Sequence, residues 1–389
     1  AQITDASVTA AKLATDSVTT AKITAANVTA AKIAGGSALV GKNLIMNGSM
    51  TIAQRPSQTG MASGYGACDG WQIMSLSGAP ARYTISQESS GGVGGNSKWN
   101  KILVTTADAN PAAADTHYYG QKMEGNSVQT LLDSSGDLQA CTMSFDVLVH
   151  ADGASSISFP ATLVIFVNDH GFDGQQYAKT FTVTSNDTWQ RVSVPIAANA
   201  SIAINNDTSD EFSVGVTIYA GSGKVISDAT WGSAAGLDTS VSGAENLADV
   251  VNNYLGLTNV QLEVGSVATD FEHEPVSVTL AKCQRYLRRF SGAAALVLSG
   301  TCRSTTAASV NANIGPMRAA PTGSVSAAAW SNVVDDSDSG RDSNNTPSWT
   351  TNADGGVSTS VTVGAGLTDG NGVVVEGKAS QYAQFSAEL

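Results

Sequence analysis

The sequence predicts a mainly β protein with an N-terminal repeat stalk, a jelly-roll-like β-sandwich, one short helix and a small C-terminal β domain. Ten-residue repeats fill the first 36 residues, short segments of alternating hydrophobicity follow, and one amphipathic segment interrupts them near residue 280. Alternating segments separated by Gly, Ser and Asn loops are typical of sandwiches. We predict boundaries at 1–42 for the stalk and tail attachment, 43–275 for the sandwich, 276–291 for the helix and 292–389 for the C-terminal β tip domain.

The stalk prediction rests on three near-copies of one unit, SVTAAKLATD, SVTTAKITAA and NVTAAKIAGG. A large aliphatic residue recurs every five positions, which matches neither the period of a helix nor that of a strand. One such residue in five is too few for a core within one chain, so we expect three chains to pool them around a common axis. The alternative is a disordered leader rich in Ala and Thr. The axial residues would be Ile3, Val8, Leu13, Val18, Ile23, Val28 and Ile33.

Composition and charge exclude some functions. The 389 residues carry a net charge of −13, and only 14% of them are charged. Binding to nucleic acid needs a basic surface, and so does docking on anionic lipid. No apolar stretch is long enough to span a bilayer, so no membrane insertion is expected. Low charge with abundant Gly favours a β-rich protein that acts outside the cell.

The sandwich is predicted from strands in which every second residue is apolar. The segment CTMSFDVLVH (141–150) places Cys141 and Val149, and the alternate residues between them, on one face. The segment ATLVIFVN (161–168) is apolar on both faces, as expected for a central strand. The segment WQRVSVPI (189–196) alternates again.

The segment SVTLAKCQRYLRRF predicts an amphipathic helix. Leu280, Cys283, Leu287 and Phe290 recur at three- or four-residue spacing, and Thr279 is the candidate N-cap. The basic residues lie elsewhere on this helix. Two placements remain open: the helix packs on its own domain, or it lies near the oligomer axis with its arginines paired to acidic neighbours.

No cofactor is expected. Gly36, Gly41 and Lys42 have the spacing of a phosphate loop, but Asn43 stands where Ser or Thr would hold magnesium. The cysteines show no zinc-site spacing, so they are predicted to be buried free thiols: Cys68, Cys141, Cys283 and Cys302. Calcium is the one possible ion, with Asp169 and Asp173 as weak candidate ligands.

The densest grouping of aromatic and planar polar residues lies in the C-terminal domain. Sugar rings stack on exposed aromatic faces, while carboxylates, amides and guanidinium groups satisfy their hydroxyls. Alternatively, the loop only caps the domain and the tryptophans belong to the core. The candidate glycan-binding residues here are Trp330, Asp335, Asp336, Arg341, Asn344 and Trp349.

A second polar and aromatic loop follows the central strand of the sandwich. Phe172 and Tyr177 are its candidate glycan-binding residues. Trp71 and Trp189 lie beside strand patterns and are predicted to be core residues, and Tyr118 and Tyr119 are expected to face opposite sides of a sheet.

Catalysis is not expected. The sequence has neither a G-x-S-x-G nucleophile elbow nor an H-E-x-x-H metal helix. A glycosidase needs two carboxylates across a bound sugar, and many acidic pairs could meet in three dimensions. A glycan depolymerase therefore stays an open alternative.

Four segments resemble one family of known proteins. NLIMNGSMTIAQRP (43–56) with CDGW (68–71) is similar to the opening of the sandwich domain of bacteriophage tail-fibre proteins. NVQLEVGSVATDFEHEPVSVTLAKCQRYLRRF (259–290) resembles the end of that domain and the helix after it. PMRAAPTGSV (316–325) and the terminal FSAEL (385–389) resemble the tip domain of the same family.

This resemblance implies a homotrimeric, receptor-binding fibre of the virion. A tail or adaptor protein of the phage would hold its N-terminal end, and a distal tip would touch the host. The sandwich would be similar to carbohydrate-binding modules. The implied function is adsorption to the host cell surface, outside the cell, by binding surface polysaccharide. Two alternatives are a tailspike-like depolymerase and a structural spacer that carries a separate adhesin.

Overall fold

The computed structural model describes residues 41–389, except for 77, 79, 94, 170–173, 234–237 and 337–339. The predicted stalk and its axial aliphatic residues lie outside the described residues, so the trimeric stalk stays a prediction. Phe172 and Asp173 also lie outside the described residues.

The first domain is built from fifteen strands and two short 3₁₀ turns, Gly125–Ser127 and Gln129–Leu131. The strands are β1 (Gln58–Met61), β2 (Gly64–Tyr65), β3 (Gln72–Leu76), β4 (Arg82–Glu88), β5 (Trp99–Thr106), β6 (Thr116–Glu124), β7 (Cys141–His150), β8 (Ala161–Asp169), β9 (Gln175–Val183), β10 (Gln190–Ile196), β11 (Asp210–Ala220), β12 (Val225–Ile226), β13 (Thr230–Ser233), β14 (Ser240–Val241) and β15 (Tyr254–Val264).

Two antiparallel sheets form a β-sandwich, as predicted. The six-stranded sheet has the order β1-β4-β5-β15-β7-β10, and the seven-stranded sheet has the order β13-β9-β8-β11-β6-β3-β2. The short strands β12 and β14 pair with each other in parallel. Strands β7 and β15 lie inside the first sheet, and β8 and β11 lie inside the second.

The core between the sheets follows the alternation in the sequence. On β7 the inward side chains run from Cys141 to Val149, and both of these are fully buried. Strand β8 is buried on both faces, which confirms the predicted central strand. Trp71 lies in the core as predicted, stacked on Tyr119 with ring centres 5.8 Å apart. Tyr118 faces the other side of its sheet, where it contacts Phe166 and is also buried.

The predicted helix over 276–291 is wrong in its second half. Helix α1 spans Val276–Gln284, and Leu287–Ser291 forms strand β16 instead. Strand β16 pairs in register with the last strand of the chain, from Leu287 opposite Ser386 to Ser291 opposite Tyr382. This long-range pairing, invisible in the local pattern, overrides the helical spacing of Leu287 and Phe290.

The predicted N-cap of this helix is also wrong. The N-cap position is Pro275 rather than Thr279, which lies buried one turn into the helix. The Thr279 hydroxyl donates instead to Glu274, at 2.9 Å. Leu280 is partly buried and Cys283 is buried, so the helix packs on its own chain through these positions.

The C-terminal domain is a second two-sheet unit with its own core. A three-stranded sheet has the order β16-β25-β19, and a seven-stranded sheet has the order β21-β20-β24-β17-β18-β23-β22. After β16, its strands are β17 (Val297–Ser304), β18 (Ala307–Asn313), β19 (Thr322–Val325), β20 (Ser331–Asp335), β21 (Arg341–Asp342), β22 (Thr350–Thr351), β23 (Gly356–Thr362), β24 (Gly372–Gly377) and β25 (Tyr382–Ser386).

Buried polar contacts join the two domains. Arg55 Nη1 donates to Glu388 at 2.9 Å, and both side chains are less than a tenth exposed. The Tyr65 hydroxyl donates to the Leu389 carbonyl at 2.6 Å. Arg285 holds the fully buried Glu124 with two bonds of 2.8 and 2.7 Å. The C-terminal domain therefore packs directly on the sandwich.

All four cysteines are buried free thiols, as predicted. Burial raises the pKa of Cys141 to about 12, so this thiol is unreactive near neutral pH. No helix in the described part of the chain is long and apolar enough to cross a bilayer.

Candidate functional site

The tryptophans of the C-terminal loop belong to the core. Trp330 is 1% exposed. The Trp349 ring is partly buried and packs edge-on against Phe385, with centres 4.9 Å apart, and lies 6.0 Å from Trp330. Gly323 leaves room for Trp349, because a Cβ there would come within 2.4 Å of the indole. The two rings together fill the space between the sheets, which favours the alternative interpretation of this loop.

The polar residues of this loop mostly serve the fold. Asp335 is buried, forms an ion pair with Arg341 at 3.1 Å and accepts the Thr368 backbone N–H at 3.0 Å. Asp336 and Asn344 are exposed, and the Asn344 side chain accepts a bond from Thr362. The structure thus pairs Asp335 with Arg341, but it gives these polar side chains no exposed tryptophan face.

In the described part of the second predicted loop, Tyr177 offers no free aromatic face. Tyr177 lies on the inward side of β9 and is 2% exposed, because alternation along the strand points it into the core with Phe181. Asp169 is buried, and its carboxylate accepts the backbone N–H of Gln175 across the turn. Glycan stacking on Tyr177 is therefore not available in this structure.

Calcium has little support among the described residues. In that part of the chain no three His, Cys, Asp or Glu side chains come together as a metal site would require. The Asp169 carboxylate accepts the Gln175 backbone N–H, and Asp173 lies outside the described residues.

An aromatic surface lies on the outward side of the six-stranded sheet. We call it the aromatic face and define it by Trp99, Trp189, Tyr254 and His150. These rings contact one another on the side of the sheet opposite the core: Trp99 to Trp189 at 5.5 Å, Trp99 to Tyr254 at 6.2 Å and Tyr254 to His150 at 4.8 Å between ring centres. Trp189, Tyr254 and His150 are partly exposed.

Strand alternation places these rings. On β5, Ile102 and Val104 face the core, so Trp99 and Lys101 point outward. On β15, Leu255 and Leu257 face the core, so Tyr254 points outward opposite His150 of β7. Trp189 stands just before β10 and leans over the same sheet. The prediction that Trp189 is a core residue is therefore wrong.

A glycine and one loop fix the position of the two indoles. Gly256 lies beneath both, and a Cβ there would approach Trp99 at 3.0 Å and Trp189 at 3.3 Å. The Trp99 N–H donates to the Ser90 carbonyl and the Trp189 N–H to the Gly91 carbonyl, each at 2.7 Å. With their donors engaged, the indoles offer a ligand their ring surfaces rather than their N–H groups.

Polar side chains surround the rings. The Lys101 ammonium lies 4.2 Å above the centre of the Tyr254 ring. Asp187, half exposed, lies 2.8 Å from His150 Nδ1 and accepts the Tyr254 hydroxyl at 3.4 Å. Burial and the neighbouring Asp187 carboxylate raise the pKa of the Tyr254 hydroxyl above its usual value, so Tyr254 stays protonated near neutral pH.

This combination suits sugar recognition. Partly exposed rings can stack on the apolar face of a pyranose, while ammonium, carboxylate and imidazole groups satisfy its hydroxyls. Sequence reasoning missed the site, although a signal was present: the alternation of WNKILVTT and YLGLTNV places Trp99, Lys101 and Tyr254 on one side of their strands. The pairing of β15 with both β5 and β7, which brings them together, could not be read from the sequence.

No protein-family model matches the chain, and no curated protein matches it. The solved structures similar to it include carbohydrate-binding modules. One is TmCBM61 in complex with β-1,4-galactotriose, with 10% identity and a TM-score of 0.27 over 57% of this chain and 99% of that one. Another is the xylan-binding domain CBM22-1 of Paenibacillus barcinonensis Xyn10C, with 11% identity and a TM-score of 0.24 over 55% and 99%. Because these TM-scores are low, the candidate binding site rests on the geometry of its own residues.

Proposed function

We propose that the protein is a bacteriophage tail fibre that attaches the virion to its host by binding surface polysaccharide. The observation that supports this most is the aromatic face, where three partly exposed rings lie beside Lys101 and Asp187. The tail-fibre role itself rests on the sequence resemblance of residues 43–71 and 259–290. In this proposal the protein binds without breaking a bond.

In the proposed assembly, three copies join through residues 1–42, and a phage tail or adaptor protein holds that end. Three weak sugar sites that act together would give firm attachment, because multivalency raises avidity without new contacts. The protein would act outside the host cell, need no cofactor and contact neither nucleic acid nor the membrane interior.

Purified protein mixed with whole cells of candidate hosts tests the proposal. Depletion of the protein from solution and release of soluble sugar are measured in the same sample. Depletion without sugar release is expected. Sugar release would contradict the non-catalytic proposal and favour the depolymerase. Absence of depletion for every host whose phages carry similar fibres would contradict adsorption.

A further inference from the structure

Lys101 occupies the centre of the aromatic face. It points outward from β5, opposite Gly256 on one neighbouring strand and Ser86 on the other. The indoles of Trp99 and Trp189 lie over Gly256 beside it, and the ammonium rests above Tyr254. His150 and the Lys101 ammonium cover the faces of the Tyr254 ring, so a ligand stacked on Trp189 would lie beside Tyr254, on the same sheet face as Lys101 Nζ.

Within the described part of the chain, the charge of Lys101 is not compensated by an ion pair. Arg191, on the same sheet face, is paired with Asp146 at 3.7 Å, and His150 lies against Asp187 at 2.8 Å. Among the described residues no acidic side chain forms an ion pair with Lys101. The nearby Glu88 carboxylate instead accepts the Ser86 hydroxyl at 2.7 Å.

We propose that Lys101 makes the aromatic face selective for sugars that carry an anionic group, a carboxylate or a phosphate. This inference rests on the proposed glycan-binding function. An ammonium has three donors, and its contact with the Tyr254 ring leaves donors free for a charge-assisted bond to the ligand. The net charge of −13 disfavours an anionic glycan at a distance, but charges more than about 8 Å apart are largely screened at physiological ionic strength. Direct contact with Lys101 then determines whether an acidic or a neutral sugar binds more tightly.

The test compares oligosaccharides that differ only in charge. A hexuronate oligosaccharide, its carboxyl-reduced neutral counterpart and the same neutral oligosaccharide bearing a phosphate are titrated against the full chain by calorimetry. We expect the wild type to bind an acidic form about five-fold more tightly than the neutral one, the size of a partly exposed ion pair. The two acidic arms show whether carboxylate or phosphate is preferred.

Lys101→Gln should remove this acidic-to-neutral ratio, and Lys101→Arg should retain most of it. Arg303→Gln removes one exposed positive charge from β17 in the C-terminal domain; it is the control and should keep the wild-type ratio. Equal affinity of the wild type for the acidic and neutral forms would overturn the inference but leave the proposed glycan binding intact. A preference for the acidic form that persists in Lys101→Gln would do the same. Binding of none of the sugars by the wild type would overturn both the inference and the proposed glycan binding.

Discussion

Gly256 leaves space for two indole rings at the centre of the six-stranded sheet. Its missing side chain lets Trp99 and Trp189 meet over the strand, and the carbonyls of Ser90 and Gly91 hold their N–H groups. The absence of a side chain at position 256 thus allows the edge-to-face contact between the two indoles.

Gly256→Val should displace Trp189 and weaken glycan binding by about fivefold, because stacking contributes on the order of 1 kcal/mol and 1.4 kcal/mol is tenfold in affinity. Gly232→Val is the control, since a Cβ at Gly232 meets nothing within 4 Å. Affinity for host polysaccharide and tryptophan emission are measured together. If Gly256→Val shifts the tryptophan emission but leaves the affinity unchanged, Trp189 takes no part in glycan binding.

His117 is a buried histidine in the core, with Nδ1 2.8 Å from the Tyr83 hydroxyl and Nε2 2.7 Å from Ser75 Oγ. Desolvation lowers the pKa of His117 from 6.5 to about 4. Because this pKa is depressed in the folded state, the stability contribution is complete above pH 6.5 and is lost as the pH falls towards 4. The loss should be roughly 3 kcal/mol by linkage.

Urea unfolding of the full chain between pH 7.5 and 4 measures this dependence. His117→Gln should flatten the curve over that interval. An identical slope for the wild type and His117→Gln would show that His117 does not titrate between these limits.

An ion pair joins the C-terminal end of helix α1 to the sandwich. Arg285 donates two bonds to Glu124, whose side chain is fully buried. Arg285→Ala would leave the Glu124 carboxylate buried without its partner. The free energy of unfolding should fall by about 2 kcal/mol, which is less than for a fully buried pair because Arg285 is partly exposed.

The exposed pair of Lys378 and Asp342, at 2.5 Å, supplies the comparison. Lys378→Ala should cost less than about 1 kcal/mol, as surface pairs do. Urea denaturation of both variants gives the two values. Equal costs would mean that the Arg285 pair contributes no more than a surface contact.

Elements whose burial follows their own sequence could be predicted. Alternation predicted β7 and β8, and their inward residues form the core. Strand β16 could not be predicted, because its conformation depends on pairing with residues about 95 positions away, such as Gln384 opposite Arg289. Stacking of a sugar on Trp330 or Tyr177 was wrongly predicted for a related reason: both side chains have the right chemistry but face inward, and the burial of a side chain depends on the neighbouring sheet.

At the scale of the whole molecule, the repeats of residues 1–36 predict association. Val18→Asp with Ile23→Asp would place charges in an axial core and should reduce a trimer to smaller species. Thr20→Asp with Ala25→Asp carries the same charges at the same spacing outside the aliphatic positions and should leave the oligomer intact. Light scattering gives the mass of each species. A monomeric wild type, or an unaltered mass in both variants, would contradict the axial interpretation.

The proposed function depends most on the aromatic face as the site of glycan binding. The most direct measurement is the affinity of the full chain for purified host polysaccharide, with Trp189→Ala set against Trp231→Ala. Trp231 is matched in chemistry: it is partly buried, its N–H donates to the Ala197 carbonyl at 2.8 Å, and its ring lies 5.0 Å from Tyr177, on the other sheet. We predict that Trp189→Ala loses at least tenfold in affinity while Trp231→Ala binds like the wild type. Wild-type affinity in Trp189→Ala, with the fold retained, would contradict the account.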